Sequence, residues 1–168
     1  MRFLGFFILL FCLSGCGYHF SGYSGTLPGG VEKLYIPLFI NKTTEPRLET
    51  RITSQVSEIF SRSDKIHQVE KKADAEAVLY GTIRQYKSRA LSYSRNDDIG
   101  TYLSTMIVDV ELRQTGSKQL LWSSSIQWKE TYRASGDKNI QDLARQRTLQ
   151  QLVLRVAEEI HSRLFDDF

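Results

Sequence analysis

Cys16 is the residue best placed to do covalent chemistry. It follows Leu13-Ser14-Gly15, at the end of an apolar run from Phe3 to Leu13. A thiol, once deprotonated, is the strongest nucleophile among these side chains. Cys12, the other cysteine, lies inside the apolar run. His19, His67 and His161 have no Cys, His or carboxylate beside them at metal-ligand spacing. Gly22 and Gly29-Gly30 do not open a helix in a phosphate-cradling pattern. Asp97-Asp98, in an expected loop, and Asp166-Asp167, near the C-terminus, read as solvated carboxylates rather than acid–base pairs. The expectation is a protein that is not an enzyme and needs no metal or cofactor.

Charge is concentrated in two places. Arg84–Arg95, RQYKSRALSYSR, interleaves Arg84, Lys87, Arg89 and Arg95 with Tyr86 and Tyr93. Lys129–Lys138, KETYRASGDK, adds Arg133 and Lys138. Arginine binds phosphate bidentately, and tyrosine presents an apolar ring with a polar tip, which suits a lipid–water boundary. The same composition also describes a solvated strand end, and both readings stand. The formal net charge is +3, or +2 without Arg2, too near neutral to imply a polyanion from bulk charge. Export of the chain argues against nucleic acid as the partner of these cations.

The N-terminus supplies the argument for export. Arg2 precedes the apolar run, which is roughly half the ~20 residues of a membrane-spanning helix. It therefore reads as a signal peptide over residues 1–15. Leu13-Ser14-Gly15-Cys16 resembles the lipobox of bacterial lipoproteins. That resemblance implies that the Cys16 thiol takes up a diacylglyceryl group and that a membrane peptidase accepts the small residues before it. It further implies covalent diacylglycerol and N-acyl lipid on Cys16, two or three acyl chains that anchor firmly, since each buried CH₂ contributes ~0.8 kcal/mol. Gly17 stands where an Asp would resemble an inner-membrane retention signal, so the outer membrane, periplasmic side, is the expected location. Residues 17–30, rich in Gly and Ser, read as a flexible tether, and residues 31–168 as a single domain. With Cys12 removed and Cys16 lipidated, no disulfide is available to that domain.

The elements that must position the cations follow from periodicity. Val31–Phe39 is expected as a strand, with Leu34, Ile36 and Leu38 on one face and Pro37 marking an edge. Thr43 or Thr44 is expected to cap a helix with Pro46 in its first turn. That helix runs to about Arg62 on a stripe of Leu48, Ile52, Val56, Ile59 and Phe60. Ile66–Val69 reads as a short extended piece. Ala77–Lys87, Thr101–Arg113 and Gln119–Tyr132 read as an antiparallel meander. In its first strand Leu79 and Ile83 would face the core, and Tyr80, Thr82, Arg84 and Tyr86 would face away. A long helix, capped by Asn139, is expected from about Ile140 to Leu164, with Leu143, Ala144, Leu149, Leu152, Val153, Val156, Ala157, Ile160 and Leu164 on its stripe. The order β-α-β-β-β-α implies an α/β (α+β) two-layer sandwich: about four strands in a mixed sheet, with both helices on one face. The far face would be polar, through Asp109, Glu111, Arg113, Gln127 and Lys129. The 95 and 129–138 loops would then lie at one end of the sheet.

Cys16-Gly17-Tyr18-His19-Phe20, then Leu27-Pro28 before a strand, resembles the start of the LptE family. Phe39-Ile40-Asn41-Lys42-Thr43 before the first helix, Ala73-Asp74 before a strand and the final long helix fit the same pattern. The resemblance implies a lipoprotein that plugs and helps assemble the LptD outer-membrane barrel and binds lipopolysaccharide. Family patterns place lipopolysaccharide-binding cations in the two loops. Arg95 matches the first, and Lys138 the second, with Arg133 as a near alternative and Arg89 and Lys87 beside them. The chain lacks the basic residue that follows the aromatic start in enteric members. The competing class is a lipoprotein activator of a cell-wall synthase. A tether of about fifteen residues is short for reaching an inner-membrane enzyme across the periplasm.

Overall fold

A computed structural model describes residues 27–64, 66–93 and 99–166. Cys16 and Arg95 lie outside the described residues. The elements are β1 (Lys33–Tyr35), β2 (Ile40–Asn41), α1 (Leu48–Ser61), β3 (His67–Gln68), a 3₁₀ turn (Lys72–Asp74), β4 (Ala77–Tyr93), β5 (Ile99–Gln114), β6 (Leu120–Arg133) and α2 (Lys138–Asp166). The sheet runs β3-β1-β4-β5-β6, and β2 also pairs with β4. β1 and β2 lie parallel to β4, and β4, β5 and β6 form the antiparallel meander.

Both helices pack on one sheet face, as the single apolar stripe on each requires. Leu48, Ile52, Val56 and Phe60 of α1 and Leu149, Leu152, Val156 and Ile160 of α2 share one core with Leu79, Ile83, Met106, Val108, Val110 and Ile126. The helices run side by side in the same direction. Phe60, near the end of α1, meets His161 at 5.2 Å and Phe165 at 6.3 Å between ring centroids, near the end of α2. The two-layer mixed α+β class therefore holds, with six strands rather than four.

Several local expectations are corrected. Val31–Phe39 is not one strand: β1 stops at Tyr35, and β2 resumes at Ile40 after Pro37, which lacks a ladder donor. Leu38 is 61% exposed, and Phe39 takes its place in the core. Packing also reaches back to Leu27, which bridges to Val31 through a turn with positive φ at Gly29 and Gly30, so folded structure begins before residue 31. Neither Thr43 nor Thr44 caps α1. The loop before it is organised by Asn41, whose Oδ1 accepts the Thr43 N–H and whose Nδ2 donates to the Glu45 carbonyl and to Glu49 Oε2. Arg47 occupies the cap position at φ 58° with no side-chain cap. At α2 the cap is Asp137, not Asn139: its Oδ1 accepts the N–H of Asn139 and of Ile140. Leu143 is 46% exposed, off the buried stripe.

Candidate functional site

The meander is longer than the rest of the sheet. β1 pairs with β4 at Ala77 and Val78, and β2 at Thr82 and Ile83. Beyond Ile83, no described strand borders that edge of β4. The far end of the meander thus projects past β1 and β2, with the start of α2 beside it.

A β-bulge decides what this end displays. The β4–β5 register shifts between Ile83 and Gln85. Unbroken alternation from Leu79 and Ile83 would aim Lys87 and Arg89 at the helices. The extra residue reverses the phase. Tyr86, expected to face away, is turned into the core and is 9% exposed, while Lys87 and Arg89 are turned out to solvent.

Register then assembles the cations. Lys87 pairs with Thr105, which pairs with Lys129. Arg89 pairs with Leu103, which pairs with Thr131, and Thr101 pairs with Arg133. Lys87, Arg89, Lys129 and Arg133 therefore share the helix-free face, with Lys87 and Lys129 two strands and ~10 Å apart. None of the four forms an ion pair among the described residues. Further along the same face, Arg84 pairs with Asp109, and Arg113 with Glu111 at 2.7 Å, so the middle of the face is locally balanced.

The basic end is also apolar. Leu91, Ile140 and Leu143 are among the exposed large hydrophobic residues, Ile140 at 58%. Tyr102 and Tyr132 stack at 5.1 Å on the helix side of the sheet. Ser88 and Ser104 join their hydroxyls there, 3.4 Å from the Tyr132 hydroxyl. The Ala134 N–H donates to the Gly100 carbonyl, fixing the loop that follows β6 against the start of β5.

Of the residues singled out by sequence, the structure gathers Lys87, Arg89 and Arg133 on one face. Lys138 starts α2 at the same end, on the helix layer. Lys129, which the sequence placed on the polar far face but not among the candidate binding residues, joins Lys87, Arg89 and Arg133 on that face. Its alternation with Thr131 and Arg133 was the available signal, but only the register places it level with Lys87. A groove of about 680 Å³ lies on the helix-free face toward the β5–β6 turn, lined by Ile40, Val78, Tyr80, Glu111 and Arg113 among others. Among the described residues no group of three or more His, Cys, Asp or Glu gathers as a metal site. None of the described helices is long and apolar enough to cross a membrane.

Fold and site together define a two-layer α/β domain with cations that form no ion pair among the described residues, and exposed apolar side chains, at one end of its sheet. The model of the LptE family, described as lipopolysaccharide-assembly, matches residues 31–164, and the chain belongs to that family. Solved structures share the fold. Lipoprotein B from Nitrosomonas europaea superposes with a TM-score of 0.61 at 18% identity, covering 89% of this chain and 90% of that one. The rare lipoprotein B from Shewanella oneidensis gives 0.58 at 14% identity, covering 78% and 92%. A PelC dodecamer chain from Paraburkholderia phytofirmans gives 0.50 at 14%, covering 80% and 89%. No curated protein matches by sequence.

Proposed function

We propose that this chain is an outer-membrane lipoprotein, anchored through acyl chains on Cys16, that plugs and helps assemble an LptD-type barrel and binds lipopolysaccharide at the basic end of its sheet. The observation that carries the ligand is the patch of Lys87, Arg89, Lys129 and Arg133, without ion pairs among the described residues, at the end of the sheet where Leu91 and Ile140 are also exposed. A phosphorylated amphiphile presents the complementary pair of features, anionic groups beside apolar chains. Arg95 and Lys138 are assigned to the same ligand, one from the β4–β5 loop and one from the start of α2. The role is binding and scaffolding, with no catalytic step, and residues 1–15 are removed as a signal peptide.

Family membership supports the barrel partner. Crosslinking in intact cells followed by co-purification tests it. The expected product is a one-to-one adduct with a large outer-membrane barrel. Recovery of the chain only as a free monomer would contradict the reading. For the ligand, Arg95→Glu with Lys138→Glu is expected to weaken lipopolysaccharide binding while leaving the fold intact. Unchanged binding would mean that these two charges only solvate the surface.

A further inference from the structure

β6 borders the sheet with 14 residues that pair on one side only. The phase of its ladder follows from the Ala134 N–H, which donates to the Gly100 carbonyl, and from the Thr101–Arg133 pairing beside it. Directly opposed residues of an antiparallel ladder alternate between bonded and unbonded pairs. The even-numbered residues from Trp122 to Tyr132 therefore exchange bonds with β5. The odd-numbered residues from Ser123 to Arg133 aim both N–H and C=O away from the sheet. Among the described residues no backbone group meets them.

Native edges are commonly blunted by shortness, proline, bulges or charge. The opposite edge is short, since β3 is only His67–Gln68. The open part of β4 is irregular, with register shifts around Ser92. From Trp122 onward β6 has neither device: its register with β5 is unbroken, and it holds no proline. Its charges on the helix-free face are Lys129 and Arg133, ~14 Å apart along the strand. Neither forms an ion pair among the described residues. On the helix side, Trp128 packs partly buried against the core and Tyr132 is buried. The edge thus presents main-chain donors and acceptors, two cations on one face and aromatic rings on the other. A second copy of β6 does not complement it. The strand's single carboxylate, Glu130, lies on the helix side and accepts the Trp128 indole N–H at 3.2 Å.

We infer that the outer half of β6 is a docking edge for an extended segment of another polypeptide, added to the sheet as a further strand. Its chemistry is set by the edge: two carboxylates four residues apart on one face, and apolar side chains at the alternate positions. Main-chain bonds to Gln127, Lys129, Thr131 and Arg133 hold the segment, as in other cases of strand addition. Carboxylates opposite Lys129 and Arg133 fix its register, since opposite charges attract across strands and like charges repel. The inference goes beyond the lipopolysaccharide reading, and Lys87 and Arg89, two strands inward, take no part in it.

Amide exchange and titration of the folded chain test this. The probe is a nine-residue peptide of alternating threonine and valine, with glutamate at its third and seventh positions. The control peptide carries lysine at those two positions. In the free chain, the amides of Gln127, Lys129 and Thr131 are expected to exchange faster than those of Ile126, Trp128 and Glu130. The glutamate peptide is expected to bind saturably, roughly tenfold tighter than the lysine peptide, and to slow exchange at the first three amides. Lys129→Glu with Arg133→Glu is expected to reverse the preference between the peptides. Lys87→Glu with Arg89→Glu is expected to preserve the protection pattern, which separates this edge from the lipopolysaccharide site. Equal exchange of the two sets of amides in the free chain would overturn the edge. So would no saturable binding of the glutamate peptide, binding that leaves Gln127, Lys129 and Thr131 unprotected, or equal binding of the two peptides.

Discussion

Gly81 and Phe39 form one packing unit. A Cβ built on Gly81 would lie 2.2 Å from Cδ2 and Cε2 of the Phe39 ring, which is 2% exposed. Gly81→Ala therefore forces the ring out of its place in the core, at a cost of about 1–3 kcal/mol. Urea unfolding should show that loss, and a partial recovery when Phe39→Leu is added. Equal losses in the single and double variants would mean that the ring is not the obstacle. His161 makes a second residue-scale case. It is half-buried between Phe60 and Phe165, and burial lowers its pKa while Asp166 opposes. In the unfolded chain the imidazole takes its proton near its ordinary pKa of about 6.5, and in the folded chain only at lower pH. Between those values the unfolded state holds the extra proton. Stability should therefore fall as pH drops below about 6.5, and level off below the folded pKa. Thermal melts over that window check this. His161→Phe should remove the slope.

At the scale of elements, the helix stripes and the meander are legible in the sequence because their periods of 3.6 and 2 hold over long windows. What is not legible is phase. One extra residue between Ile83 and Gln85 decides whether Tyr86 or Lys87 faces the helices, and no residue type there announces it. The interruption at Pro37 is legible as an edge. Its consequence, Phe39 inside and Leu38 outside, depends on where the strand resumes. Helix starts fail for a related reason: Asp137, Lys138 and Asn139 are close neighbours, and only geometry selects the acceptor. Asp137→Ala should cost about 1 kcal/mol and speed amide exchange at Asn139 and Ile140. Asn139→Ala should leave the melting temperature nearly unchanged. The reverse ranking would contradict the observed cap.

On the helix-free face, Arg84 and Arg113 pair with the carboxylates of the sheet's middle, while the four cations toward its free end form no ion pair among the described residues. Sequence spacing located the two basic stretches and the end where they converge. It did not reveal that Lys129 lies level with Lys87, because cross-strand neighbours are distant in the chain. The fold alone does not choose a function; the side chains at this end do. The decisive measurement is a direct titration of the folded domain with lipopolysaccharide, comparing the native chain with a Lys87→Glu, Arg89→Glu and Arg133→Glu variant. The account predicts saturable binding that weakens with salt, and affinity at least roughly tenfold lower in the variant at an unchanged melting temperature. Equal affinity in the two proteins would contradict it.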